Sequence, residues 1–249
     1  MTAAPPNDPV ETDPPRTEVW KMFDRIAHRY DILNRSLSFG QDVAWRRRLR
    51  KHLPDRSDLH ILDLATGTAD QLIFLAGDPR VATGEGSDLA EKMLEIGRRK
   101  LVKAGLQDRF TLRTGDALHV PAADQSADVV TISFGIRNVE SVPTAMQEMY
   151  RVLKPGGRVL ILEFALPGNR LMRSLYLFYF RHILPRIGGL ISGDSYAYRY
   201  LNRTVESFPY GDAFCDWMRE AGFESVGFQS LTFGIAAIYQ GDKPPQPNP

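Results

Sequence analysis

Three aspartates, Asp63, Asp88 and Asp116, stand where short apolar runs give out. The first opens Asp63-Leu64-Ala65-Thr66-Gly67-Thr68-Ala69-Asp70, a β-like run that ends in a tight turn into a helix-like stretch. A dinucleotide site needs several glycines in such a turn, so that backbone can approach a pyrophosphate at the helix N-terminus. Only Gly67 is glycine here, and the spacing G-x-G-x-x-G is absent. A ligand without phosphates asks less. One glycine lets the backbone pass close to an amino-acid moiety, whose ammonium and carboxylate Asp63 and Thr68 can meet; an ordinary strand-to-helix turn is the competing reading. Asp88 follows 21 positions after Gly67, where one carboxylate can accept hydrogen bonds from both hydroxyls of a ribose. Glu85 is its rival within Gly84-Glu85-Gly86-Ser87-Asp88. Asp88 is preferred because Glu91-Lys92-Met93-Leu94 follows at helical pitch and sets Met93, the first apolar residue, beside an adenine. Gly115-Asp116-Ala117 offers a carboxylate and a free backbone amide to an adenine edge, and Ser133-Phe134-Gly135 borders the same crevice. One such signal at each successive strand end points to S-adenosylmethionine as the cofactor.

These positions need a sheet whose strands all end on one side. Runs at His60–Ala65, Val81–Ser87, Arg109–Thr114, Ala127–Phe134 and Arg158–Phe164 read as strands. Helical patterns at Ala69–Ala76, Ala90–Ala104 and Pro143–Leu153 separate several of them, the last stopped by Lys154-Pro155-Gly156-Gly157. That alternation predicts an α/β doubly wound, mostly parallel sheet with its ligands at the strands' C-terminal ends. After a helix ending at Gly222, Phe223–Ser230 and Thr232–Gln240 lie too close for a parallel crossover and should pair antiparallel. A Rossmann-like sheet of seven strands closed by an antiparallel hairpin results, in one domain over 16–241. A helical cap over 16–55 precedes it, and a helical insertion over 165–205 is set to line a substrate pocket. Prolines crowd both ends, so 1–15 and 242–249 are expected to be loosely held tails.

Composition narrows the class. Lys and Arg total 31 against 30 Asp and Glu, for a net charge of +1, which argues against a nucleic-acid binder driven by a bulk basic field. Cys215 is the single cysteine, which excludes a disulfide framework and fits a reducing, cytoplasmic setting. No secretory signal is visible at the N-terminus, and no His/Cys/Asp/Glu cluster has metal-ligand spacing.

The motifs Asp63 to Thr68, Asp88 to Leu94 and Arg151-Val152-Leu153-Lys154-Pro155-Gly156-Gly157 resemble class I S-adenosylmethionine-dependent methyltransferases. Further stretches narrow this: Tyr30-Asp31-Ile32-Leu33-Asn34, Ser38-Phe39-Gly40 with Trp45, Ile132-Ser133-Phe134-Gly135-Ile136-Arg137-Asn138-Val139, Leu184-Pro185-Arg186-Ile187-Gly188, and Tyr198-Arg199-Tyr200-Leu201 before Phe208-Pro209. These resemble the ubiquinone and menaquinone biosynthesis C-methyltransferases of the UbiE/MenG type, from about Val19 to Gly241. The chain departs from the family pattern at Asp42, where a His is usual, at Ala69, where the turn's second Gly is usual, and at Ala165, where Ser is usual. Thr68, Asp88, Asp116, Ala117 and Ser133 match the family's cofactor-binding positions.

The resemblance implies methylation of a ring carbon of a prenylated quinol, with demethylmenaquinol the leading acceptor. Methyl transfer to oxygen or nitrogen of another small molecule, or an inactive cofactor-binding scaffold, are the alternatives. The protein's part is then alignment of acceptor and sulfonium, with help in removing a phenolic proton. Arg137 and Asn138, after the fourth strand, could stabilise the phenolate and hold a ring oxygen. Tyr30, Asp31 and Asn34 could do so if the N-terminal helix folds over the site. Against this, Arg137 could be an ion-pair partner of Glu140 or Asp31, and Tyr30 a core ring. His28, His119 and His182 read as solvent-facing or capping. Arg170–Ile191 carries thirteen large apolar or aromatic residues, four arginines and no acid. It suits either a docking element at an anionic membrane surface or the wall of a polyprenyl slot, with a buried cap helix as the plain alternative. Arg46-Arg47-Arg48-Leu49-Arg50-Lys51 reads as a solvated helix face. The oligomeric state stays open, a homodimer included.

Overall fold

The computed structural model describes residues 16–186 and 195–246. Five parallel strands form the sheet's body: β1 (Leu59–Leu64), β2 (Val81–Asp88), β3 (Phe110–Thr114), β4 (Ala127–Ser133) and β5 (Leu153–Phe164). β6 (Glu224–Leu231) and β7 (Ala236–Asp242) complete the order β3-β2-β1-β4-β5-β7-β6, with β7 antiparallel to both neighbours. This is the doubly wound sheet closed by a hairpin that the spacing predicts.

Alternation along the strands builds a core on each face. Leu62 and Leu64 join Val130, Ile132, Val159 and Ile161 under α5 (Val142–Val152) and α8 (Asp212–Glu220). Leu59 and Ile61 join Val129, Leu160 and Leu162 under α2 (Gln41–Arg48), α3 (Asp70–Ala76) and α4 (Glu91–Lys103). Every residue of β4 is buried, as expected of a central strand covered on both sides. The start of α5 is capped by the Ser141 side chain, which accepts the Thr144 amide, with Pro143 in the first turn.

Three boundaries differ from the sequence reading. The segment Lys154–Gly157, expected to be only a turn, is the irregular beginning of β5: Leu153 pairs with Ala127 before the register shifts. There the Gly156 amide donates to the Lys243 carbonyl at 2.9 Å and the Lys243 amide to Gly157 at 2.8 Å. Lys243 therefore belongs to the folded unit, and regular structure outlasts the boundary set at 241. The hairpin connection is a short 3-10 turn, Thr232–Gly234, so β7 starts four residues later than expected. The N-terminal tail at 1–15 and the segment 187–194 lie outside the described residues.

The cap is helical. α1 (Val19–Leu37) lies over the strands' C-terminal ends and packs chiefly on α4. α6 (Arg170–Phe178) continues through a π-helical turn at Tyr179–Ile183, and α7 (Ser195–Ser207) returns beside it. Leu33, Leu166, Tyr176, Phe180, Leu184 and Val205 form a separate core joining α1, α6 and α7. No helix among the described residues is long and apolar enough to cross a membrane.

Candidate active site

Two hollows meet above the strand ends. The first is a crevice floored by the C-terminal ends of β1, β2, β3 and β4, with Ala65, Gly67, Asp88, Leu89, Met93, Asp116, Ala117 and Ser133 on its walls. Gly67 takes φ of +57°, and a Cβ there would touch Met93 Cε at 3.7 Å. The Asp88 carboxylate accepts the amides of Gly67 at 2.8 Å and Ala90 at 2.9 Å. Burial raises its pKa, while those amide hydrogen bonds pull against the shift. With two of about four lone-pair sites taken, the carboxylate keeps acceptor capacity for ligand hydroxyls. Asp116 Oδ1 accepts the Leu118 amide at 2.9 Å, and Ser133 Oγ donates to Gln71 at 3.0 Å. Trp20, Phe23 and Tyr30 of α1 roof the crevice.

The second hollow is a cavity of about 670 Å³ walled mostly by apolar side chains of α1, α2, α6 and the ends of β4 and β5. Phe23, Tyr30 and Phe134 line both hollows, so the two adjoin there. Tyr30 is half-buried, and desolvation raises its hydroxyl pKa; the charge of Arg46 and a hydrogen bond with Asn34 oppose that rise. Arg137, 5% exposed, donates from Nη1 to Glu163 at 2.8 Å and to the Phe134 carbonyl at 2.6 Å. Asn138 borders the crevice, and its Oδ1 accepts from the Tyr200 hydroxyl at 3.3 Å.

Several expected site residues face elsewhere. Asp63 is 1% exposed and absent from both walls. Its carboxylate accepts from the hydroxyls of Thr66, at 2.6 Å, and Thr131. Through these bonds it ties the β1 turn to β4. Burial pushes its carboxyl up to about 6, opposed by the two threonine hydroxyls. The Thr68 hydroxyl donates to Asp31 at 2.6 Å and accepts from Lys100 at 3.0 Å, outside both hollows. Asp31 stands one residue past Tyr30, about 100° further round the helix, and meets Thr68 and Lys100, off the walls of both hollows. Arg137 is indeed ion-paired, but to Glu163 rather than to Glu140 or Asp31.

One residue escaped the sequence reading. Arg46, placed in a solvated basic run, is 6% exposed and lines the acceptor cavity, whereas Arg47 and Arg48 are exposed. The signal was present in the spacing: Asp42, Trp45, Arg46 and Leu49 fall at i, i+3, i+4 and i+7, the buried stripe of a helix. Asp42, where the resembled family has His, is 4% exposed and held by the Ser38 hydroxyl at 2.9 Å. Ala69 supplies φ of +64°, the left-handed geometry for which the resembled family uses Gly. Among the described residues no His/Cys/Asp/Glu group could hold a metal ion.

The sheet order, the terminal hairpin and a crevice at the strand ends are those of the class I methyltransferase fold. The fold is shared with a Thermotoga maritima S-adenosylmethionine-dependent methyltransferase, at TM-score 0.65 and 18% identity, over 90% of this chain and 99% of that one. It is shared also with phosphoethanolamine N-methyltransferase 2 of Haemonchus contortus, solved with S-adenosyl-L-methionine, at TM-score 0.66 and 16% identity over 95% of this chain and 61% of that one. Residues 11–243 match the ubiE/COQ5 methyltransferase family, and the chain belongs to it. Demethylmenaquinone methyltransferase of Thermus thermophilus is 48% identical over 223 residues, 90% of this chain and 100% of the relative. The ubiquinone/menaquinone biosynthesis C-methyltransferase UbiE of Geotalea daltonii is 44% identical over 227 residues, 91% and 96% of the two chains.

Proposed function

We propose that this protein transfers the methyl group of S-adenosylmethionine to a ring carbon of a prenylated quinol, demethylmenaquinol in the first instance. The observation that carries this reading is the meeting of a polar crevice and an apolar cavity at Phe23, Tyr30 and Phe134. The chemistry of the crevice walls suits a nucleoside with an amino-acid tail: Asp88 would meet the ribose hydroxyls, Asp116 and the Ala117 amide the adenine edge, Leu89 and Met93 its ring, and Gly67 and Ser133 the tail. The cofactor supplies an activated methyl on a sulfonium. The cavity, within the usual range of about 300–1,000 Å³ for small-molecule sites, is large enough for a fused ring and the first part of a prenyl chain.

The chain's residues then align and deprotonate. Phe23, Tyr30 and Phe134 hold the ring at the opening between the hollows and exclude water from it. Tyr30, Asn138 and the Arg137 Nε, which has no hydrogen-bond partner among the described residues, offer hydrogen bonds to ring oxygens. An ionised ring hydroxyl pushes electron density onto the neighbouring carbon and makes it nucleophilic. Arg137 stays protonated and is no base.

The cavity mouth fits a lipid surface. Phe39, Leu175 and Phe233 line the cavity and are 79%, 58% and 77% exposed. Leu171 and Phe178 continue the patch along α6, beside exposed Arg170 and Arg173. A prenyl tail could enter there from an anionic leaflet.

The decisive measurement incubates the protein with methyl-labelled S-adenosylmethionine and a panel of prenylated quinols, and locates the label by mass spectrometry and NMR. A new methyl on ring carbon is the expected product. Label on oxygen, or none on any quinol, overturns the reading.

A further inference from the structure

Two guanidinium groups flank the aromatic pair at the head of the acceptor cavity. Phe134 and Phe164 lie with ring centroids 4.6 Å apart. Arg46 sits 5.2 Å from the first ring's centroid and Arg137 sits 5.3 Å from the second's. Their electrostatic situations differ. Arg137 is neutralised by Glu163, but Arg46 has neither an ion pair nor a side-chain hydrogen bond among the described residues, and its Nε is a buried donor left without a partner.

The groups around Arg46 explain why no protein anion reaches it. Asp63 from β1 and Asp70 from α3 feel its charge, yet their oxygens are engaged elsewhere. Asp63 accepts from Thr66 and Thr131; Asp70 is held by Lys100 and, at 2.9 Å, by Arg35. Asp42 from α2, which also lines the cavity, accepts from Ser38 with Oδ1, while its Oδ2 has no hydrogen bond and lies 3.6 Å from Arg35. Tyr30 from α1 also feels Arg46, while Glu163 from β5 is held by Arg137. A buried cation without a counter-ion is costly unless a ligand provides the anion. We propose that Arg46 is a substrate-binding residue whose unpaired guanidinium receives the ionised ring hydroxyl of the acceptor. The inference rests on the methyltransferase reading, but it moves the phenolate-stabilising charge from Arg137, already neutralised, to an arginine on α2. Ionisation of the hydroxyl is thereby favoured at the moment its electrons must reach the ring carbon. No acid in the cavity has to be displaced.

A chromophoric phenol, 4-nitrophenol, tests this without turnover. Bound to wild-type protein holding S-adenosylhomocysteine, its apparent pKa, read by absorbance, should fall by about one pH unit or more relative to water. Arg46→Gln should abolish that shift, and Arg46→Lys should keep part of it. In quinol methylation, Arg46→Gln should move the pH dependence of kcat/KM upward by a comparable interval. An unshifted probe on wild-type protein overturns the proposal whatever the variants do. So does a folded Arg46→Gln with the wild-type shift. So does a tenfold loss of S-adenosylhomocysteine affinity with the probe shift intact, which would assign the guanidinium to the cofactor's carboxylate. Failure of wild-type protein to methylate any quinol, with the probe still shifted, would instead sink the methyltransferase substrate reading and leave this electrostatic site standing.

Discussion

At the residue scale the site mixes groups that touch ligands with groups that hold those groups in place, and substitutions separate them. Asp88→Ala should weaken S-adenosylhomocysteine binding by roughly a hundredfold or more in calorimetry, because charged hydrogen bonds to ligand hydroxyls disappear. Arg137→Ala strands Glu163, 1% exposed, without its cation. Such a loss costs about 3–5 kcal/mol, so thermal unfolding should fall sharply along with activity. Arg137→Met/Glu163→Leu removes both charges; it should recover most of the stability and none of the turnover. Asp63 makes a pH prediction. Its folded pKa, about 6, lies above the ordinary 3.8, so the folded state favours the protonated form. The stabilisation that proton brings is complete below about pH 4 and is lost as pH rises through about 6. Measured by denaturant unfolding, Asp63→Asn should therefore gain on wild type by roughly 2–3 kcal/mol between about pH 4 and about pH 7. Asp88 and Ser133, at the C-terminal ends of their strands, stand on the crevice wall where the sequence reading set them. Asp63 and Thr68 lie off both walls, since direction at a tight turn depends on the left-handed residues beside them, Ala65 and Ala69.

At the element scale, α1 is the part that must yield. The crevice it roofs encloses only about 190 Å³, below the usual small-molecule range of about 300–1,000 Å³. Seating a nucleoside with an amino-acid tail there is therefore expected to displace α1. Polar contacts fasten it beside its apolar packing on Ala90 and Met93: Lys100 of α4 joins Asp31 of α1, at 2.8 Å, to Asp70 of α3, and Asp24 accepts the Lys92 amide at 3.0 Å. Lys100→Ala should leave the sheet's exchange protection unchanged while α1 amides exchange at least tenfold faster, as read by hydrogen–deuterium exchange. Equal protection of α1 in both proteins would show that apolar packing alone holds the cap. α6 divides similarly by face. Phe180 is 2% exposed and stacked on Tyr176 at 5.0 Å, whereas Leu171 and Phe178 face solvent. The plain alternative, a buried cap helix, and the docking element are thus two faces of one helix. Sequence could list the apolar residues but not sort them, because Leu171, Leu175 and Phe178, which are exposed, are as apolar as the residues that are buried.

At the scale of the whole molecule, the exposed face of α6, the cavity mouth and the arginines beside it lie on the cap, away from the sheet's two covered faces. Leu171→Ser/Phe178→Ser, which spares the buried Tyr176 and Phe180, should reduce flotation with anionic liposomes severalfold and leave S-adenosylhomocysteine binding intact; equal flotation would remove the lipid contact. The division of labour between chain and fold is visible in two arginines. By itself the sequence determined the parallel sheet, its antiparallel closure, the crevice at the strand ends and the methyltransferase family, because these rest on local periodicity, turn chemistry and motifs a few residues long. Only the tertiary structure decided that Arg137 is matched by Glu163, 26 positions away, and that Arg46 is matched by nothing among the described residues. Charge compensation in a buried site depends on which distant elements pack together, and no spacing along the chain encodes it.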